Sequence, residues 1–533
     1  MLLSVKKTLL DFQSILNSRF WTIWSLLLLV VFIIHSLTLT ISPIVYPDEA
    51  YIIEYGRIVL EPHTQWSTIW SIKSGKPFFP LFYVGAILQE LALRLTNFSM
   101  IGPRLACLIG GLFAATTSVG WFLSRKNSKI FAFVLGIIFL LDPIFVFSYR
   151  SGRVDCWVLG LCLASCWILS DVSLKSEVSS YRNKLIKIGL AGMLSTIAFF
   201  VWPSVIMLYP LVLVQFNLLN RQIYVINTNF NKCFIANIVF IGAGIATGLL
   251  LMIPIWQDVI SGFSNIFVAS GGTGNILGRL SKLIEIKSFV YSFQISPFLF
   301  LTTLFILIGQ RPTIWVYPTL FASAIAIITN PYPFRVVYLL PYSLILISEF
   351  NIRWKNYINN QYKFKLKYIQ IVVLCILLVW SIGISLITRP ILSLTQYASR
   401  DHQILLNTGI QEIGLGTDKK VYDSTLQFYY VGRSLKWEMF RPIKHDGTQW
   451  NDKLFKTFLE KVDYAILPED YSSRGVDTFS NNEPEVMTKA GLEFYKIIVD
   501  NPNNKVTRGF MDRNSLGGGL PYGAYKLYKR TIK

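Results

Sequence analysis

The chain has 533 residues, 53% hydrophobic and 15% charged, with a formal net charge of +20. Soluble domains carry roughly 25% charged residues, so this composition excludes an ordinary soluble enzyme and implies a polytopic membrane protein. Nor does the positive charge mark a nucleic-acid partner. Up to Thr388 there are 29 Lys or Arg against 13 Asp or Glu, and beyond it 21 against 17, so the excess lies in short loops between apolar runs, as the positive-inside rule dictates.

The first apolar run, 21–41, is too long for a signal-peptide core and lacks a small-residue cleavage site, so it reads as a retained anchor. With Lys6, Lys7 and Arg19 inside, it delivers Tyr46-Pro47-Asp48-Glu49-Ala50 to the outer face. Two adjacent carboxylates at a membrane surface are costly unless solvated, paired or working. The next segment, 77–96, contains Gln89, Glu90 and Arg94. Counting it as a span would put Arg125 and Lys126 outside, so it is expected as an amphipathic helix in the outer interface. Further spans are expected at 102–123, 130–148, 154–171, 185–200, 202–219, 233–256, 289–309, 312–329, 333–350 and 368–388, about eleven in all. Asp48, Glu49, Arg104, Arg150, Arg153 and Asp155 then reach the outer face, with loops 257–288 and 330–335.

An odd number of spans places 389–533 outside as well. Here short β-like runs at 420–423, 464–467, 495–499 and 524–528 alternate with helical patterns at 402–413, 452–461 and 484–490, the mark of a small α/β domain. The expected fold is therefore an α-helical polytopic membrane protein with a C-terminal extracytoplasmic α/β domain, divided at 1–388 and 389–533, in the plasma (inner) membrane. Gly517-Gly518-Gly519 reads as a flexible loop, and so does the glycine-rich stretch 270–275, which also resembles a phosphate-cradling nest. The six cysteines all lie in apolar segments, and the four histidines are widely spaced. Packed hydrophobes are expected of the cysteines, and no histidine metal cluster is encoded.

Carboxylates and arginines at one membrane face suit the transfer of a sugar from a polyprenyl phosphate to a hydroxyl. A carboxylate orients the acceptor and takes its proton. The leaving phosphate is a weak base and needs no general acid, but cations must stabilise it, and arginine matches phosphate oxygens in a bidentate way. Asp48 and Glu49 are the candidate bases; Arg104, Arg150, Arg153 and Arg335 are candidate phosphate partners. An apolar groove between helices would hold the lipid tail. Plainer readings stand beside these. Asp48 and Glu49 could cap the following helix, Asp155 could pair with Arg150 or Arg153, Arg104 could anchor a helix end, and Asp142-Pro143 reads as a turn or cap.

Four stretches, in order, resemble the GT-C type lipid-dependent glycosyltransferases that include protein O-mannosyltransferases and the lipid A aminoarabinose transferase. They are Pro47-Asp48-Glu49-Ala50; Gly75-Lys76-Pro77-Phe78-Phe79-Pro80-Leu81-Phe82-Tyr83; Gly102-Pro103-Arg104-Leu105 followed by Asp142-Pro143 and the stretch from Arg150 to Asp155; and Phe334-Arg335-Val336-Val337-Tyr338-Leu339-Leu340-Pro341. The resemblance implies Asp48 as catalytic base, Glu49 and Asp155 as supporting acids, and Lys76 and Tyr338 as further substrate-binding residues. It implies a polyprenyl-phosphate-linked sugar as donor and a lipid, glycan or protein acceptor, with a divalent cation left open. Two departures are visible: Phe78-Phe79 interrupts the family's Lys-Pro-Pro pattern, and the tail lacks the sugar-binding repeats of the eukaryotic mannosyltransferases, so a bacterial member is the nearer match. A transporter or flippase of lipid-linked sugars, and a polymerase or ligase of surface polysaccharide, are the competing readings.

Overall fold

The computed structural model describes residues 18–62, 80–174, 181–227, 230–260, 314–328, 333–355, 361–441, 452–469, 483–500 and 521–531. Lys76, the expected span 289–309 and the loops 270–275 and 517–519 lie outside the described residues.

The first helix, α1 (Phe20–Ser36), is followed by turns and α2 (Pro47–Leu60). The sequence dictates where α2 starts. Pro47 takes the first helical position, where a missing N–H costs nothing, and Glu49 accepts the Tyr46 backbone N–H at 3.0 Å. A 3-10 turn (Pro80–Phe82) leads into α3 (Tyr83–Leu95), which packs along α2. Gly56 allows that approach: a Cβ there would lie 2.1 Å from the Ala86 carbonyl oxygen. At 13 residues α3 spans about 20 Å, short of the bilayer core of about 30 Å. Its polar residues Gln89 and Glu90 are buried, so the expected amphipathic helix is covered by protein on its polar face.

Helices α4 (Ile101–Ser124), α5 (Lys129–Leu140), α6 (Pro143–Arg150), α7 (Asp155–Leu174), α8 (Tyr181–Val201), α9 (Tyr209–Asn227) and α10 (Phe230–Met252) follow. Among the described residues five helices are long and apolar enough to cross a membrane, and six if a bent pair is one span. That pair is α5 and α6, expected as one straight span and bent by 57°. Pro143 cannot donate a helical hydrogen bond and clashes with the preceding turn. Asp142 starts the new helix by accepting from the N–H groups of Ile144 and Phe145 at 3.0 and 3.3 Å. The expected span 202–219 is likewise broken, by a 3-10 turn at Pro203–Met207.

Helices α4 and α7 form the buried centre, whereas Phe230–Ile260 and Ile371–Thr395 are mostly exposed and apolar, the surface a bilayer covers. The later helices are α11 (Val316–Ile328), α12 (Leu340–Lys355), α13 (Gln361–Ile382) and α14 (Arg389–Thr395).

Beyond them lie α15 (His402–Glu412), β1 (Lys420–Asp423), α16 (Tyr429–Leu435), β2 (Glu438–Phe440), α17 (Asp452–Leu459), β3 (Tyr464–Pro468), α18 (Glu483–Lys489), β4 (Leu492–Ile498) and β5 (Tyr525–Arg530). The five strands form one mixed sheet in the order β2-β1-β3-β5-β4, with β1 parallel to β2 and β3, and β5 antiparallel to β3 and β4. Side chains alternate across it. Val421, Ile466, Tyr525 and Leu527 join a core that reaches Ala50, Ile53 and Leu93 of α2 and α3. Tyr422, Ala465, Leu467 and Tyr528 pack on the other face with Phe455, Phe458 and Met487. One face of the sheet unit therefore rests on the helical part.

Candidate active site

The two acidic loops meet. Asp48, on the first turn of α2, forms an ion pair with Arg153. The Arg153 Nε donates to Asp155 Oδ2 at 2.8 Å, and the Tyr338 hydroxyl donates to Asp155 Oδ1 at 2.6 Å. The Arg153 guanidinium stands 5.6 Å from the Trp202 ring centroid. The result is a relay Asp48–Arg153–Asp155–Tyr338. Asp155 and Tyr338 are buried at its inner end, and the Asp48 side chain is 37% exposed at its outer end.

Glu49 points the other way. Its side chain is fully buried and accepts from Arg104 Nε at 3.0 Å, Arg104 Nη2 at 2.8 Å and the Tyr430 hydroxyl at 3.0 Å. Arg104 also donates to the carbonyls of Leu39 and Pro43 at 2.6 Å each and of Ile44 at 3.3 Å. Arg150 is equally enclosed: its three nitrogens reach the carbonyls of His35, Thr38 and Ser42, the Thr38 hydroxyl and His35 Nδ1. Arginine only donates, so Nδ1 accepts and His35 carries its proton on Nε2, facing the Tyr149 hydroxyl at 3.4 Å. These two arginines hold the turns that follow the end of α1 at Ser36. A helix end leaves carbonyls without partners, and two guanidinium groups take up the carbonyls of the turn that follows.

Sequence reasoning therefore found residues that the fold sorts into two kinds. Asp48, Arg153, Asp155 and Tyr338 form one connected array. Glu49, Arg104 and Arg150 brace the segment 35–46 from inside the protein. Arg335 is half-buried on the short helix Pro333–Val336, three residues before Tyr338. Among the described residues no three His, Cys, Asp or Glu converge as a cation would require. Asp48 and Asp155 share one arginine and Glu49 faces another, so these acids do not fit a divalent ion.

Several contributors were not found in the sequence. Trp202 was read only as part of a span. Three side chains of α16 reach the acids of α2 and α3: Tyr429 donates to Glu54 Oε2 at 2.8 Å, Tyr430 to Glu49, and Arg433 to Glu90 at 2.9 and 2.7 Å. Glu54 also pairs with Arg57, and Glu90 with Arg94. The one available signal was the spacing Tyr429-Tyr430-Arg433, which puts an aromatic hydroxyl and a guanidinium on one face of a short helix.

An apolar groove of about 340 Å3 lies between α8, α9 and α10, lined by Gly192, Thr196, Tyr209, Val212, Phe240 and Gly244 among others. Thr196 is six residues, or about 9 Å along the helix, from Trp202 beneath Arg153.

This fold is a known one, the GT-C fold of ArnT. Two solved structures of ArnT, the lipid A aminoarabinose transferase, from Cupriavidus metallidurans share it along nearly the whole chain. One is ArnT bound to undecaprenyl phosphate, 11% identical, with a TM-score of 0.54 over 97% of this chain and 99% of that one. The other is the apo state, 12% identical, with a TM-score of 0.54 over 97% of this chain and 100% of that one. No protein-family model and no curated sequence matches the chain. The resemblance read from four short motifs thus holds at the level of the fold.

Proposed function

We propose that the chain is a glycosyltransferase that moves a sugar from a polyprenyl-phosphate donor to a hydroxyl of a lipid, glycan or protein acceptor at the extracytoplasmic face of the inner membrane. The observation that carries this reading is the exposed Asp48 carboxylate at the head of the buried relay. ArnT, with the same fold, is bound to undecaprenyl phosphate in one of its structures, and that ligand is the model for the donor's carrier.

The chemistry follows from the array. Asp48 accepts the proton of the acceptor hydroxyl. The oxygen's electron pair bonds to the anomeric carbon as the carbon–oxygen bond to phosphate breaks. Polyprenyl phosphate leaves with that electron pair, and Arg153 stabilises its charge. Asp155, itself held by the Tyr338 hydroxyl, accepts from the Nε edge of Arg153, and the Trp202 ring lies against the guanidinium, so the cation is positioned before substrate arrives. Arg335 and Lys76 are read as further phosphate contacts. Arg104 and Arg150, with every nitrogen engaged inside the protein, are read as framework. The groove beside Thr196 receives the first isoprenoid units. The sheet unit, residues 389–533, stands on the same side of the membrane as Asp48.

Purified full-length protein, incubated with radiolabelled polyprenyl-phosphate sugars and membrane lipids, tests the reading. Release of polyprenyl phosphate with label on the acceptor fraction is expected. Passage of intact donor across vesicles without such release would replace the transferase with a transporter.

A further inference from the structure

We infer that Tyr430 is a positioning residue for this site: through Glu49 it fixes the start of α2 and thereby the place of the Asp48 carboxylate. The inference rests on the transferase reading for its kinetic part.

Three side chains of α16 reach across to α2 and α3, and their bonds are not equivalent. Those of Tyr429 and Arg433 end on Glu54 and Glu90, each of which also has an arginine of its own helix. Both acids lie a turn or more from Asp48, and their bonds dock one unit on the other. The Tyr430 bond ends on Glu49, the residue bonded to Asp48 through the chain. Glu49 also touches the second acidic loop. Gly152 has φ +64, and a Cβ there would stand 3.0 Å from Glu49 Oε2. That same oxygen accepts from Tyr430 and from Arg104 Nε. One carboxylate oxygen of Asp48's neighbour in sequence is thus set against Gly152, the neighbour of Arg153, and Tyr430 is its one hydrogen-bond donor from the C-terminal unit among the described residues. The Tyr430 ring is itself seated against His402, with centroids 6.0 Å apart, and against Tyr429, at 5.9 Å. Removing its hydroxyl leaves the ring in place and leaves Oε2 with Arg104 Nε as its remaining hydrogen-bond donor.

The test compares Tyr430→Phe with Tyr429→Phe in the full-length protein. Each loses one buried hydroxyl donor to a glutamate, and Tyr429→Phe also loses the bond that Arg433 Nη1 donates to that hydroxyl at 3.0 Å, so its melting temperature should fall at least as far as that of Tyr430→Phe. Tyr430→Phe is expected to lower kcat about 10- to 100-fold, the effect of a displaced reacting group, with KM for the lipid-linked donor within about twofold. Amide exchange at 48–53 should speed up at least tenfold. Tyr429→Phe should leave kcat and that exchange within about twofold of wild type. Loss of kcat that tracks melting temperature equally in both variants would overturn the inference, as would unchanged exchange at 48–53 in Tyr430→Phe. Exchange needs no turnover, so it decides the positioning on its own. A wild-type protein that releases no polyprenyl phosphate sinks the transferase reading alone.

Discussion

Asp48 and Asp155 share an arginine but not an environment. The outer acid is more than a third exposed, and the inner one is buried under a tyrosine hydroxyl. On the proposed reading the outer acid is the one that meets the acceptor, so Asp48→Asn should lower turnover about 10²–10⁴-fold while donor binding and expression persist. Near-normal turnover would remove Asp48 as the base. The arginines divide in the same way. Arg153→Ala should weaken donor use by about 1.5–3 kcal/mol, the cost of a lost charge-assisted bond. Lys should rescue only in part, since it lacks the planar fork. Polyprenyl-phosphate inhibition measures both variants. Arg104→Met should act on folding instead, costing about 3–5 kcal/mol because Glu49 is left buried without its cation. A thermal melt reads that loss, and an Arg104→Met protein that melts normally but binds donor weakly would return Arg104 to the phosphate site. The sequence made the acids legible because charges are scarce among apolar runs. It could not separate the arginines, since the partners of Arg104 and Arg150 are mostly backbone carbonyls, which look alike in every sequence.

Among the elements, periodicity found the long helices and missed the breaks. Ile101–Ser124 and Tyr181–Val201 lie within a residue or a turn of their expected spans. Two expected spans are broken at prolines, where hydropathy stays high while the hydrogen-bond ladder fails. In the C-terminal unit four of the five strands and three helices were legible from alternating and helical patterns. The three-residue β2 and seven-residue α16 were not. Segments so short carry little pattern of their own and are held by what they pack against. The groove between α8, α9 and α10 was expected only in kind, because it arises from small residues on separate helices. If it receives the donor's isoprenoid units, Thr196→Phe should raise KM for long-chain donors several-fold and leave a short-chain donor unaffected. Equal KM changes for both chain lengths would mean that the groove is not on the donor's path.

At the scale of the molecule, α4 is the measure of sidedness. It spans about 36 Å, with the turn after Leu95 at one end and Lys126 at the other. Leu95 is 85% exposed, and Lys126 is exposed as well. Leu95→Cys should react with an impermeant thiol reagent from outside, and Lys126→Cys only after permeabilisation. The reverse pattern would turn Asp48 and the sheet unit toward the cytoplasm.

Acidity should act on the junction of the two parts. Burial, and then the Arg104 charge, lowers the His402 pKa from 6.5 to about 4. The folded state therefore holds His402 neutral, and its contribution is intact above pH 6.5. As pH falls from 6.5 toward about 4, the unfolded chain gains a proton that the folded chain refuses, so stability drops. Melting temperature should fall across that window, and His402→Phe should flatten the fall.

The bond between Tyr430 and Glu49 joins residues 381 positions apart. At about 5–20 residues per second of synthesis, roughly 20–75 s separate the two partners on the ribosome. Through that interval the early acidic segment is already made, and the hydroxyl that seats it is not. If Asp48 is the base and Tyr430 positions it, a nascent chain carries its base before the means to aim it, and a ribosome that stalls before Tyr430 leaves an inserted but unaimed protein in the membrane. On the proposed reading, catalytic competence waits until the C-terminal unit has folded and docked, which would make translation itself the first control on this site.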